Sequence, residues 1–131
     1  MAQLDHIIVK VNDLQASVEF YGGLMGFACE GTDGPSTIMR VGQDCLLQLA
    51  PWGTSGFEHY AFAVSAAEFE QIVGRIKAAN RDHGPTFDTV GVNTSLGNER
   101  GARGEAPTLY FNDPNKHLIE IRTYPGSIVR D

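Results

Sequence analysis

The chain has 131 residues, a formal net charge of −6, 42% hydrophobic and 20% charged residues. That is the size of one domain with a real core, and the balance is that of a soluble globular protein rather than a disordered one. The acidic excess leaves no basic stripe for nucleic acid, and no apolar run is long enough to span a bilayer.

The N-terminal residues Met1-Ala2-Gln3-Leu4-Asp5 lack the basic and apolar regions of a signal peptide. Cys29 and Cys45 match no paired-cysteine metal spacing and are too few for a disulfide framework, so both are read as buried free thiols in a reducing cytoplasm; a single bridge between them is the alternative. Residues 4–11 alternate as a strand, with Ile7, Val9 and Val11 on one face and His6, Ile8 and Lys10 on the other. Asn12-Asp13 reads as an N-cap, and 14–24 as a helix with Leu14, Val18, Tyr21 and Met25 at helical spacing. Three short strands are expected over about 27–32, 36–42 and 44–50, with turns at Gly34-Pro35 and Gly42-Gln43.

Residues 51–57 (Pro-Trp-Gly-Thr-Ser-Gly-Phe) form a linker by composition, with Trp52 assigned to packing. The pattern then begins again. Residues 58–64 alternate, with Tyr60, Phe62 and Val64 opposite His59, Ala61 and Ala63. Ser65 and Glu68 have capping-box spacing, and a helix runs to about Asn80 with Phe69, Ile72, Val73 and Ile76 as its apolar stripe. A strand is expected at 86–90, a long Gly-containing loop at roughly 91–106, and strands at 107–112 and 117–123. His83 is read as a surface histidine near a helix end, and His117 as structural.

The order strand–helix–three strands thus occurs twice, as module 1 (about 1–50) and module 2 (about 58–124) of a single domain. His6 and His59 lie 53 positions apart, each near the start of its module's first strand, and a valine follows each five residues later. Gln48 and Glu120 are each third in the run that ends a module, Leu-Leu-Gln-Leu and Leu-Ile-Glu-Ile. Such a duplication predicts an α+β fold in which two βαβββ modules form a curved mixed sheet with helices outside. The inner face would collect His6, Gln48, His59 and Glu120. Glu120 sits within an apolar strand and is costly to bury unless a cation meets it. Two imidazoles and a carboxylate around an open centre suit Zn, Mn, Ni or Fe(II).

The chain resembles the vicinal oxygen chelate superfamily, the glyoxalase/bleomycin-resistance/dioxygenase group. The matching stretches are Leu4-Asp5-His6-Ile7 through Phe20-Tyr21 and Leu24-Met25-Gly26-Phe27, then His59-Tyr60-Ala61-Phe62, then Leu109-Tyr110-Phe111-Asn112-Asp113-Pro114 through Leu118-Ile119-Glu120. The resemblance implies one divalent metal held by His6, His59 and Glu120, with Gln48 in the remaining slot, and a homodimer. It implies that Tyr110 contacts substrate, and alternation adds Thr108 to its face. Arg100 and Arg103, in the 91–106 loop, are candidates to grip substrate oxygens beneath a lid. A three-ligand set resembles the fosfomycin-resistance enzymes and extradiol dioxygenases more than bacterial glyoxalase I. Gly101 stands where ring cleavage would call for an acid–base histidine, which disfavours a dioxygenase. The expected activity is a metal-dependent lyase, isomerase or transferase on a small oxygen-bearing substrate. The alternative is a metal-free protein that binds a small toxic molecule.

Overall fold

A computed structural model describes residues 1–126. Module 1 contains β1 (His6–Lys10), α1 (Leu14–Val18), a π-helical turn (Glu19–Leu24), β2 (Ala28–Asp33), β3 (Ser36–Arg40) and β4 (Leu46–Ala50). Module 2 contains β5 (His59–Ala63), α2 (Ala66–Ala78), β6 (His83–Gly84), β7 (Gly97–Gly101), β8 (Gly104–Asn112) and β9 (Leu118–Arg122). The modules make two sheets rather than one, of strand order β1-β4-β3-β2 and β5-β9-β8-β6, with β7 also on β8.

The duplication extends to strand register. In module 1, β1 runs parallel to β4 with His6 opposite Leu46 and Ile8 opposite Gln48. In module 2, β5 runs parallel to β9 with His59 opposite Leu118 and Ala61 opposite Glu120. The two histidines, and Gln48 and Glu120, therefore occupy equivalent places. Alternation sends Val9, Leu47, Leu49, Leu109, Phe111, Ile119 and Ile121 to the opposite face, where they join Phe20, Tyr21, Phe69, Ile72 and Ile76 of the helices in one core.

The helix expected at 14–24 is α-helical only as far as Val18. Asp13 caps it through Oδ1 to the Ala16 N–H. Beyond Val18 the bonds lengthen in register, and the Met25 N–H reaches the Phe20 carbonyl. Gly22 and Gly23 lower the helix propensity here, and a Cβ on Gly22 would come within 3.3 Å of the Met39 side chain. The second helix starts as expected, with the Glu68 N–H donating to the Ser65 hydroxyl, which in turn donates to the Glu68 carboxylate.

Four local expectations are corrected. No strand forms at 86–90. The Thr86 N–H donates to the Thr89 hydroxyl and the Thr86 carbonyl accepts from it, so one side chain occupies the groups a ladder would use. Phe87 is left exposed. Conversely, residues 91–106 are not all loop, because β7 and β8 make a hairpin with Gly101 paired to Gly104. Gly97, which read as a loop residue, serves close approach: a Cβ there would lie 2.0 Å from the Pro85 carbonyl oxygen. His83 is buried rather than on the surface, whereas Cys29 is exposed and Cys45 half-buried.

The modules are joined by a polar cluster at the turn before β9. Buried Asp113 accepts from the Tyr21 hydroxyl (2.7 Å), the Asn115 N–H (2.8 Å), the Asn115 side-chain amide (3.0 Å) and the His117 N–H (2.9 Å). Asn115 also accepts from the Asn12 N–H (2.8 Å). His117, fully buried, contacts the Lys10 carbonyl through Nε2 and the Glu58 N–H through Nδ1. Those two partners require the neutral tautomer with hydrogen on Nε2, so His117 is structural. Tyr21→Phe removes one donor from a buried carboxylate and is expected to cost about 1–3 kcal/mol, read as a lower urea midpoint at unchanged slope.

Candidate active site

The face of the second sheet turned away from the core carries His59, Ala61 and Ala63 of β5, Glu120 and Arg122 of β9, and Thr108 and Tyr110 of β8. A cavity of about 360 Å³ lies over it, its wall including His59, Glu120, Arg122 and Tyr124 with Arg100 and Arg103 from the hairpin. The small side chains of Ala61 and Ala63 leave the room.

Glu120 is 5% exposed. Its Oε2 accepts from Arg122 Nη1 at 2.5 Å, and its Oε1 lies 3.1 Å from His59 Nε2. An ionised carboxylate only accepts, so in this contact Nε2 carries the hydrogen. Tyr110 pairs with Glu120 across the strands, and its ring lies nearly parallel to that of His59, 6.2 Å between centroids. Burial raises the Tyr110 phenol above its ordinary value; hydrogen bonding to Glu120 and the charges of Glu120 and Glu99 add to this, and Arg122 opposes it. Tyr110 thus keeps its proton at neutral pH and is not a base.

His6 and Gln48 lie on the other sheet. His6 is half exposed, with Nδ1 2.7 Å from Asp5 Oδ2. Gln48 stands beside Ile8 and Ile38 on the same face. The four residues expected on one inner face are therefore gathered in two pairs. Among the described residues no three His, Cys, Asp or Glu side chains converge to hold a metal. His59 Nε2 and Glu120 Oε1 lie side by side, and with the ring hydrogen on Nδ1 instead they would supply a donor set that fits Zn, Mn, Ni or Fe(II) for two of three ligand positions.

Thr108 is fully buried, and its hydroxyl donates to the Pro85 carbonyl, so that proton is not available to a ligand. Arg100 is opposite Glu105 on β7–β8 and exposed; Arg103 stands at the hairpin tip, its N–H on the Tyr124 hydroxyl. Neither forms an ion pair among the described residues. The sequence reading missed Arg122, which supplies the positive charge Glu120 needs. The signal was present: a residue two beyond Glu120 on a strand must share its face.

Comparisons with known proteins agree with this architecture. A model described as the Glyoxalase/Bleomycin resistance protein/Dioxygenase superfamily matches residues 3–121. The chain is 27% identical to a glutathione transferase FosA of Serratia marcescens over 128 residues, 92% of this chain and 80% of the relative. The solved structure of an oxidase, ChaP-H2, superposes with TM-score 0.80 at 30% identity, covering 96% of this chain and 97% of that one. A fosfomycin resistance protein FosX from Mesorhizobium loti shares the fold, with TM-score 0.66 at 18% identity over 98% of this chain and 95% of that one.

Tyr21, Tyr60 and Tyr110 are all raised, chiefly by burial. Above about pH 10 the unfolded chain releases phenolic protons that the folded chain keeps, so stability falls as pH rises. Tyr110→Phe removes one contributor, and its urea stability is expected to fall less steeply than the wild type's between about pH 9 and 11.

Proposed function

The chain belongs to the glyoxalase/bleomycin resistance protein/dioxygenase superfamily, and from that premise we propose that it is a divalent-metal enzyme acting on a small oxygen-bearing substrate. The observation that carries the reading is the convergence of His59 Nε2 and Glu120 Oε1, 3.1 Å apart, in a cavity. The third ligand is His6 of a second copy of the chain. The exposed face of β1 and β4, bearing His6, Ile8 and Gln48, meets the His59–Glu120 face of that copy. A homodimer then has two equivalent composite sites, as an isologous interface requires.

The metal would supply Lewis acidity, stabilising negative charge on a substrate oxygen. The residues around it set what that oxygen meets. Tyr110, kept protonated, would have to turn its hydroxyl from Glu120 to donate to a substrate oxygen. Gln48, neutral and two residues along β4 from Leu46, the partner of His6, orients substrate or water by hydrogen bonding. Arg103 at the hairpin tip, with Arg100 beside it, positions substrate oxygens and shields the cavity from water. Lyase, isomerase or transferase chemistry is favoured over ring cleavage, because Gly101 leaves no acid–base side chain at its place.

One observation favours a second reading, a metal-free binding protein: Arg122 already neutralises Glu120, so the site needs no cation to be stable. Elemental analysis of protein purified without chelators or a histidine tag separates the two. The enzyme reading expects about one metal per chain in the wild type and none in His6→Ala or Glu120→Gln. Mixing those two variants after unfolding and refolding should restore about half a site per chain in the mixed dimers, because each mixed dimer regains one intact composite site. Wild-type protein that takes up none of Zn, Mn, Ni or Fe(II) would leave the binding-protein reading standing. Metal uptake by the variants without any gain on mixing would overturn the composite site.

A further inference from the structure

We infer that Arg122 is a positioning residue for Glu120, and that Gly101 is the gap that allows it to work. The inference rests on the metal reading only for its second readout. A glutamate side chain turns freely about its bonds, so a strand position alone does not decide which carboxylate oxygen faces a cavity. Here the two oxygens have different partners. Arg122 Nη1 holds Oε2 at 2.5 Å, and Oε1 is left to His59 Nε2 at 3.1 Å.

Arg122 can act as a fixed post because it is itself held. Its Nη2 donates to the carbonyls of Glu99 (2.7 Å) and Gly104 (3.1 Å), one on each strand of the β7–β8 hairpin. Its guanidinium carbon lies 4.9 Å from the centre of the Tyr124 ring. The residue is 4% exposed. A planar fork is needed to reach the carboxylate and both carbonyls at once; an ammonium group has the charge without that shape.

Gly101 marks how closely the hairpin covers this group. A Cβ there would lie 2.2 Å from the Arg122 guanidinium carbon and 2.4 and 2.6 Å from its two terminal nitrogens. Gly101 is absent from the positive-φ residues, so glycine is required for room and not for backbone conformation. The side chains of His59, Glu120 and Arg122 can thus be perturbed from outside, through a residue that is no ligand.

The experiment uses the full-length protein and two variants, Arg122→Lys and Gly101→Ala. Arg122→Lys retains the charge and loses the fork; Gly101→Ala retains Arg122 and displaces its guanidinium. Thermal melting checks that both fold. In the metal-free protein at about pH 8, above the ordinary imidazole range, ring nitrogen NMR of His59 should show hydrogen on Nε2 in the wild type and a mixture of tautomers in both variants. Cobalt(II) binding, followed by its visible bands, should weaken about 10–100-fold in both, the usual effect of losing a group that orients a ligand. A merely electrostatic role would leave Arg122→Lys like the wild type. Unchanged His59 tautomer and unchanged cobalt affinity in the two folded variants would overturn the inference. Wild-type protein that fails to bind cobalt overturns the metal reading alone, and the His59 signature then decides the positioning role.

Discussion

The carboxylate of Asp113 is the constraint on which the arrangement of the two modules depends. It is buried, and a buried carboxylate is costly unless it is fully hydrogen-bonded. Three of its donors come from its own turn, which shapes the entry into β9; the fourth, Tyr21, comes from the π-helical turn of the other module. The same turn carries Asn115, which reaches the Asn12 backbone, and His117, which spans from β1 to the segment before β5. The start of β9 is therefore fixed against both modules, and Glu120 lies two residues further along that strand.

A second buried carboxylate is handled differently. Asp113 meets neutral donors and closes on itself as a structural hub. Glu120 meets Arg122 on one oxygen and a half-exposed imidazole on the other, beside a cavity. A carboxylate with one oxygen tied and the other turned to an accessible nitrogen is satisfied at rest yet can take another partner. That contrast separates the group that builds the fold from the group available for chemistry.

Much of this was legible in the sequence. Alternation in residues 4–11 and 58–64 assigned the core face and placed His6 and His59 opposite it, and the strand register agrees. The capping pair Ser65 and Glu68 marked the second helix because its signal is local. The errors came where tertiary contacts outweighed local preference. Gly97, Gly101 and Gly104 read as loop residues, yet they pair in a hairpin, Gly97 and Gly101 giving room to the Pro85 carbonyl and the Arg122 guanidinium and Gly104 taking a positive φ at the turn. Residues 86–90 read as a strand, yet the Thr89 hydroxyl captured both the N–H and the carbonyl of Thr86.

The sequence by itself determined the two-module order, the faces of the strands, the equivalence of His6 with His59 and of Gln48 with Glu120, and the family resemblance that these patterns carry. Each follows from a period or a spacing, which the chain's covalent geometry converts directly into direction. Only the tertiary structure decided that the modules form two sheets, so that one chain presents His59 and Glu120 together and His6 apart from them. Only it showed the buried Arg122 clamped between β9 and the hairpin. Those outcomes depend on how the elements meet in space, through hydrogen bonds between residues as distant as Tyr21 and Asp113, and no local pattern encodes that meeting.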